Sequence, residues 1–325
     1  MQETKSLHYV LGAALALIAV FVVVALVMIN SQASDTNTVV NIGDVDSTIV
    51  GDIVISTEAE SGAGDHYNDA DFGASTAIED LVAGSTRTIY INGLVEDTNG
   101  AADITGVSSA FYEDNASGGN ACASDANDCY KDDTCTTYAG PTTDQLYFTC
   151  GPFALEYFID STSTGGVNAS GNWVAWAQVT DGDGSPDSDT ETVEVETLLA
   201  LDIETGINYG TLALGASTTA DNDNELTIFQ NGNDVADVEV SSAAAMTCTV
   251  RGTIPVANQE WALTSLAYNA EGTTNLSGTP VDTDINIGYR TGAAVSDILY
   301  WGITIPSSGV EGSCDGTTTI TAIAH

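Results

Sequence analysis

The sequence predicts an all-β protein: tandem β-sandwiches that follow one N-terminal transmembrane helix. Residues 10–29 form an unbroken apolar run (VLGAALALIAVFVVVALVMI). Beyond residue 30, Thr, Val, Ile, Gly and Asp recur in short blocks between turn residues, without sustained helical periodicity. The chain carries 6 cysteines, and an even number suits an exported protein held by disulfides.

The apolar run sets the predicted orientation of the chain. As a helix rising about 1.5 Å per residue, residues 10–29 are long enough to cross a hydrocarbon core of roughly 30 Å. Lys5 precedes the run, and the next cation is Arg87. Because positive charge stays on the cytoplasmic side, we expect residues 1–9 in the cytoplasm and the bulk of the chain outside the cell.

Three fates of the N-terminal segment, residues 1–30, remain open. The run exceeds the usual core of a signal peptide, which favours a retained anchor. Ser31-Gln32-Ala33 has the small-x-small form that signal peptidase reads, and cleavage there would release a secreted protein. Lys5-Ser6 before a long apolar helix resembles the leaders of archaeal pilins and archaellins, and that resemblance implies a filament core.

The charge balance excludes several classes of partner. The chain has 325 residues, with 46 Asp and Glu against 5 Lys and Arg, and a formal net charge of -41. Such a surface repels phosphate backbones, so no nucleic-acid partner is expected. The expected partners are the membrane, through residues 10–29, and further copies or neighbours in a surface layer or filament. The acidity fits either a saline habitat, where salt screens self-repulsion, or divalent-ion binding in a cell coat.

The exported chain divides into a stalk and two blocks. Residues 31–47 form a polar stalk, residues 48–198 a first sandwich with a Cys-bearing loop, and residues 199–325 a second sandwich. In the first block, strands are expected near 48–56, 86–95, 104–113, 144–160, 172–180 and 190–197. Residues 192–196 (TVEVE) alternate as an antiparallel strand does with one face buried.

The second block carries a local hairpin signal. Residues 226–230 lead through Asn231-Gly232-Asn233 to a second apolar alternation at 236–240, and such turn residues supply positive φ. Further strands are expected near 259–266, 284–290, 297–305 and 316–324. We single out Thr317 to Ala324 as the strand to add to a neighbour's sheet, with an ordinary last strand as the alternative.

The cysteines are expected to form disulfides. They are Cys122, Cys129, Cys135, Cys150, Cys248 and Cys314. If the two blocks are separate domains, Cys248 pairs with Cys314, and the other four have three open connectivities. A zinc site is the alternative, but the spacings lack the close Cys-x-x-Cys pairs that such sites prefer.

Two local patterns resemble known domains. Residues 179–184 (VTDGDG) and the Val-x-Val that follows look like the closing hairpin of a PKD-type or related immunoglobulin-like domain. Residues 207–215 and 230–233 are similar to the opening of immunoglobulin-like sandwiches in choice-of-anchor and HYDIN-like surface domains. The whole layout resembles membrane-anchored surface proteins of ultra-small bacteria and archaea. The resemblance implies immunoglobulin-like folds and a surface location, and it implies no activity.

Calcium is the cofactor that the acidic loops suggest, since it takes six to eight oxygen ligands and needs no histidine. We expect the site first at Asp181, Asp183, Asp187 and Asp189, where alternate acids in one hairpin loop can wrap a hard cation. Further candidate clusters are Asp65, Asp69 and Asp71; Asp125, Asn127, Asp128, Asp132 and Asp133; and Asp221, Asp223 and Glu225. The alternative is that these acids are solvated turn residues.

No catalytic residues are expected. The exported part has His66 and His325 as its histidines, and neither a G-x-S-x-G elbow nor a Gly-Lys-Ser/Thr phosphate loop occurs. Trp173 and Trp176 should point to opposite faces of one strand, so one of them is a candidate to stack on a sugar. The sequence therefore favours a non-enzymatic structural or adhesive surface protein, with a pilin-like filament subunit and a secreted carbohydrate-binding module as alternatives.

Overall fold

The structure is a computed structural model that describes residues 40, 43–182, 186–204 and 206–325. Residues 44–325 form one compact unit. The apolar run at 10–29 lies outside the described residues, and no helix within them is long and apolar enough to cross a membrane. Their regular structure consists of strands and two single-turn 3₁₀ helices, Gly119–Ala121 and Val256–Asn258. The all-β prediction is therefore confirmed for this part of the chain.

The first block contains two sheets. Its strands are β1 (Thr48–Ile49), β2 (Val54–Ser56), β3 (Thr86–Glu96), β4 (Ile104–Glu113), β5 (Cys129–Asp132), β6 (Thr136–Ala139), β7 (Gln145–Glu156), β8 (Trp173–Asp181) and β9 (Asp187–Val193). One sheet has the order β1-β3-β7-β6, with β2 also paired to β3, and the other has the order β5-β4-β8-β9. All these pairs are antiparallel.

One hydrophobic core lies between these two sheets. Ile89 and Ile91 of β3 and Phe148 of β7 meet Phe111 of β4 and Trp173 of β8 in a single buried cluster. The Phe111 and Trp173 rings stack with their centroids 4.9 Å apart. The period-two alternation that predicted β8 is observed, because every second residue from Trp173 to Val179 is buried.

Most first-block strands lie where the sequence predicted them, and two short ones were missed. β3, β4, β7 and β8 match their predicted ranges to within a few residues. β5 and β6 lie in the Cys-bearing loop, where polar residues hid the strand pattern. The burial alternation at 192–196 is confirmed, although β9 ends at Val193 and Val195 continues with an isolated parallel bridge to Ile78.

The second block contains three sheets. Its strands are β10 (Leu201–Ile203), β11 (Asn224–Gln230), β12 (Ala236–Ser241), β13 (Met246–Cys248), β14 (Thr253–Ile254), β15 (Gln259–Ala262), β16 (Thr274–Asn275), β17 (Val281–Asp282), β18 (Ser296–Ile303), β19 (Cys314–Asp315) and β20 (Thr319–Ala324). The orders are β10-β11-β18-β15-β16, β17-β12-β20 and β14-β13-β19. Trp261 and Trp301 face each other across β15 and β18, and both are buried as expected.

The predicted hairpin between 226–230 and 236–240 is wrong. Both strands form, but β11 pairs with β10 and β18, whereas β12 pairs with β17 and β20. Residues 231–233 therefore make an arch between two sheets, and Gly232 does not adopt the positive φ expected of a tight turn. The physical reason is that the arch is bonded to the preceding linker at residues 196–200, as described below.

Another second-block prediction fails in part. Residues 284–290 form no strand; Ile287 makes one isolated bridge to Ala236 instead. Asp284 has a φ of 54°, which interrupts an extended backbone. The apolar alternation was nevertheless informative, since Ile285 and Ile287 are both buried in the second core.

Three disulfides join all six cysteines. Cys248 pairs with Cys314, as predicted, and the two residues lie opposite each other on β13 and β19. The open connectivity of the other four resolves into neighbouring pairs, Cys122–Cys129 and Cys135–Cys150. Every strand pair joins two strands of the same block, and the domain boundary at 198–199 stays a prediction.

Candidate functional site

Three of the carboxylates predicted to bind calcium accept hydrogen bonds from backbone N–H groups at the beginning of the folded chain. Asp181 ends β8, and Asp187 and Asp189 lie on β9, so they are strand residues rather than loop residues. Asp181 Oδ2 accepts a hydrogen bond from the backbone N–H of Ser47 (2.7 Å). Asp187 Oδ2 accepts one from Ile49 (2.9 Å), and Asp189 Oδ2 one from Ile53 (3.0 Å). Asp183 lies outside the described residues.

The geometry of an edge strand explains this arrangement. Ile49 of β1 is paired with Val95 of β3, and the N–H of Val50 donates to Leu94 O. Successive N–H groups of a strand point to opposite sides, so those of Ser47 and Ile49 face away from β3. An unpaired N–H cut off from water costs free energy. The carboxylates therefore satisfy the side of β1 that has no strand partner.

Two further side chains extend the same contact. Asp97 is fully buried, and its Oδ2 accepts a hydrogen bond from Ser47 Oγ at 2.6 Å. Asn99 Oδ1 accepts one from the backbone N–H of Val45 at 2.9 Å. We call Asp97, Asn99, Asp181, Asp187 and Asp189 the carboxylate clamp, because together they bond the chain between residues 45 and 53.

The period of β9 places its acids toward the clamp. Asp187, Asp189 and Glu191 are half-buried, and the residues between them are exposed. Inward-pointing charged residues on an edge strand also discourage pairing with another chain. The alternate acids that suggested a cation site thus join the edges of two sheets by side-chain hydrogen bonds.

Four of the five acceptor side chains in the carboxylate clamp are carboxylates, and the fifth, Asn99, is an amide. A carboxylate that accepts from a backbone N–H forms a shorter and stronger bond than a neutral acceptor does. Among the described residues, no group of three His, Cys, Asp or Glu side chains has an arrangement that could hold a metal ion. Asp183 is not among the described residues, so this finding does not cover the predicted site of four carboxylates.

Residues of the other acidic clusters accept hydrogen bonds from nearby protein groups. Asp71 accepts from Ser56 and from Thr57, and the Thr57 side-chain bond is the largest cause that lowers the pKa of Asp71. Asp223 accepts from the backbone N–H of Leu266. Asp132 accepts from the N–H of Gly151, so it bonds the Cys loop to β7.

A buried polar group lies beside the Cys122–Cys129 disulfide. Asp160 is 7% exposed and accepts hydrogen bonds from the Asn127 and Asn168 amides at 2.9 and 2.7 Å. Burial raises the pKa of Asp160, and the two amide bonds oppose that shift. The backbone carbonyl of Asp160 also accepts from the indole N–H of Trp173. Through Asn127 and Trp173, these hydrogen bonds connect the Cys loop to the hydrophobic core of the first block.

Asn233 makes a connection between the two blocks that the turn pattern of the sequence did not predict. Asn233 is fully buried; its Oδ1 accepts from the N–H of Leu198 (2.6 Å) and its Nδ2 donates to Glu196 O (2.9 Å). A Cβ on Gly232 would lie 1.9 Å from Leu198 O, so only glycine permits this approach. We call residues 196–200 and the arch 231–233 the junction.

An arginine of the second block makes a separate contact with the first block. The Arg290 guanidinium lies 4.3 Å from the ring centroid of Phe158 and 5.4 Å from that of Tyr157. It also hydrogen-bonds the Tyr157 hydroxyl. One of the chain's few cations is therefore placed over aromatic rings of the first block, where a cation–π contact is favourable.

An open groove runs along the second block. It has a volume of about 1280 Å³, and its floor includes Ile254, Ile303 and Val310, which are buried. Residues 206–214 form one wall, and residues 310–315, which include Cys314 and β19, form the other. A second hollow of about 310 Å³ continues it past Thr317, Thr318 and Ile320.

The remaining candidate residues take the following places. Trp173 is buried and Trp176 half-buried on β8, which confirms their opposite faces. Trp176 lies opposite Ala110 of β4 and Thr190 of β9 on the outer side. His66 contacts the carboxylates of Glu58 (3.2 Å) and Asp65 (3.6 Å). His325 contacts Asp237 (3.1 Å), so both histidines are paired with acids.

Comparison with known proteins yields no relative. No protein-family model matches the chain. No curated protein matches it at a significant level.

Proposed function

We propose that the chain is a non-enzymatic structural or adhesive component of the cell surface, built from tandem immunoglobulin-like sandwiches and anchored by a helix at residues 10–29. The carboxylate clamp is the observation that carries this proposal. A chain that leaves a membrane anchor passes any load into its first folded residues, and here residues 45–53 are bonded at Val45, Ser47, Ile49 and Ile53.

Calcium is part of the proposal. Asp183 lies between Asp181 and Asp187 in the sequence, so the β8–β9 turn remains the first candidate for a bound ion. Ca²⁺ and a backbone N–H compete for the same carboxylate oxygens. An ion at this turn would therefore compete with the clamp for Asp181 and Asp187.

The two lysines of the chain test the orientation directly. Lys5 lies on the predicted cytoplasmic side and Lys131, whose side chain is 27% exposed, on the predicted outer side. An amine-reactive reagent that cannot cross membranes should label Lys131 on intact cells. It should label Lys5 only after lysis, with the detergent-solubilised protein as the control that both lysines react.

Both alternatives remove Lys5 from the mature chain, so lysine labelling alone does not separate them from each other. A mature chain that lacks Lys5 and begins at Leu7 would favour the filament subunit, and one that begins at Ser34 would favour the secreted protein. Lys131 labelled only after lysis would contradict the surface location in every version. The N-terminal sequence and intact mass of the native protein, measured after deglycosylation, separate these cases.

A carbohydrate-binding module is supported by Trp176. The Trp176 residue is half-buried on the outer face of β8, between the fully buried Ala110 and the exposed Thr190. Sugars stack on such aromatic faces. Saturable quenching of tryptophan fluorescence by an oligosaccharide, lost in Trp176→Ala and kept in the outer-face control Gln178→Ala, would favour this function.

A further inference from the structure

Two edge strands of the described chain, β1 and β20, differ in how their outward-facing backbone groups are bonded. β1 has its outward N–H groups bonded by the carboxylate clamp. β20 is also an edge strand, with β12 as its strand partner in the described part of the chain. Residues 316–324 (GTTTITAIA) contain no charge and no proline. Natural edge strands usually carry such residues to prevent pairing with another chain.

The groove reaches the first residues of this edge, because the smaller hollow that continues it is lined by Thr317, Thr318 and Ile320. Its walls are residues 206–214, which have no strand partner within the described residues, and the run from β19 toward β20. Its floor contains the buried side chains of Ile254 and Ile303, and Leu214 on its wall is 57% exposed. An apolar floor beside a free strand edge is the geometry that takes an added strand.

The size of the groove favours a peptide over a small molecule. Small-molecule sites usually enclose about 300–1,000 Å³ and bury most of the ligand. This groove exceeds that range at about 1280 Å³ and is open along its length. An extended backbone suits it because the edge of β20 offers N–H and C=O groups in a row.

The chain itself holds a suitable segment. Residues 36–43 (TNTVVNIG) contain no charge and are rich in β-branched residues. Val40, which the structure describes, is 75% exposed. In a protein with a net charge of -41, an uncharged segment is the part that can approach a second copy without adding to the repulsion.

We infer that residues 36–43 of a second copy add as a strand to the edge of β20 and fill the groove of the second block. The donor segment precedes the first block, and the acceptor groove lies in the second block. Each copy therefore offers one donor and one acceptor, and such a head-to-tail contact repeats into a chain of copies. This inference goes beyond the proposed surface role and does not depend on the helix at 10–29.

A peptide tests the groove. The probe is a fluorescein-labelled peptide of residues 35–44, added to the full chain in detergent at a concentration where the chain is monomeric. Anisotropy should show saturable binding. Leu214→Asn should weaken it by about tenfold or more, because an apolar contact of the added strand is lost. Leu263→Asn, which changes a leucine that is 45% exposed outside the groove, is the matched control.

The donor is tested with proline. Proline at residue 40 removes a backbone N–H and cannot continue strand pairing, so a Val40→Pro peptide should not bind. Equal binding of the two peptides, equal affinity of the Leu214→Asn chain, or no binding at all would overturn the inference.

Sedimentation of the full chain tests the second copy. Association should increase with salt, because salt screens the repulsion between two acidic chains. It should disappear in the full-length Val40→Pro variant. A chain that stays monomeric at all salt concentrations, or a Val40→Pro variant that associates like the wild type, would overturn the inference. Neither result bears on the lysine-labelling test of surface location.

Discussion

Asp187 Oδ2 lies 2.9 Å from the backbone nitrogen of Ile49 and takes the place of a missing strand partner. The two residues are far apart in the sequence, and they belong to the edges of different sheets, β9 and β1. An acid that sequence reasoning assigned to metal binding thus completes the hydrogen bonding of an edge strand. Its contribution to stability can be measured separately from any effect of calcium.

Replacing Asp187 by alanine should destabilise the protein. The variant leaves the N–H of Ile49 without its charged acceptor, and hydrogen bonds to charged groups contribute about 1.5–3 kcal/mol. Urea unfolding should show that decrease in the free energy of unfolding, and Asp187→Asn, which keeps an acceptor oxygen, should lose less. Ser188→Ala, at the exposed neighbouring position, serves as the control. Equal stability of Asp187→Ala and Ser188→Ala would show that water replaces the carboxylate at no cost.

Calcium should raise the melting temperature if the β8–β9 turn binds it. Ligand binding to the folded state alone stabilises by about 2.7 kcal/mol at a hundredfold excess over Kd. Asp183→Asn should reduce the calcium-dependent shift, whereas Asp221→Asn, in a different acidic cluster, should leave it unchanged. The measurement is a thermal scan with added Ca²⁺ and with chelator. Identical melting temperatures in the two conditions would remove calcium from the proposal.

The sequence predicted those elements whose burial follows a local period. β8 could be predicted because every second residue from Trp173 to Val179 is buried between half-buried neighbours. β4 shows the same period at Val107 and Phe111, although Ala110 between them is buried as well. β5 and β6 could not, since each has four residues and a disulfide, rather than apolar alternation, holds it. Short strands of this kind depend on partners that lie far away in the sequence.

The arch and the carboxylate clamp could not be predicted either, because both depend on contacts between residues that are far apart in the sequence. Asn231-Gly232-Asn233 has the local chemistry of a hairpin turn, but the long-range bonds of Asn233 to residues 196–198 decide that β11 and β12 enter different sheets. Asp187 and Asp189 show their period of two in the sequence, which indicates one shared face. That they meet the N–H groups of Ile49 and Ile53 depends on the position of β1.

Stability should fall as pH rises through the titration of Glu113. This residue is 2% exposed at the end of β4, and burial raises its pKa from 4.5 to about 7, with hydrogen bonds from Asn115 opposing the shift. The folded state therefore holds a proton that the unfolded state has released, and the free energy of unfolding decreases between about pH 4.5 and pH 7.

Glu113→Gln provides the test of that pH dependence. The amide cannot ionise, so the decrease in unfolding free energy over this range should become smaller than in the wild type. Urea unfolding at a series of pH values measures it, and Glu194→Gln, at an exposed position, is the control. If the wild type and Glu113→Gln have the same pH profile, Glu113 is ionised in the folded protein across the whole range.

The junction should depend on one buried side chain. Asn233→Ala removes the acceptor of the Leu198 N–H and the donor to Glu196 O, two part-buried hydrogen bonds that a fully buried side chain makes to the linker. Leaving a buried group unsatisfied costs about 1–3 kcal/mol, so urea unfolding should show a loss of at least that size. Asn231→Ala is the matched control, because Asn231 contacts Ala200 through its backbone N–H. If the two blocks unfold in one transition in the wild type, Asn233→Ala should separate them into two. A single transition of unchanged midpoint would show that the junction does not depend on the Asn233 side chain.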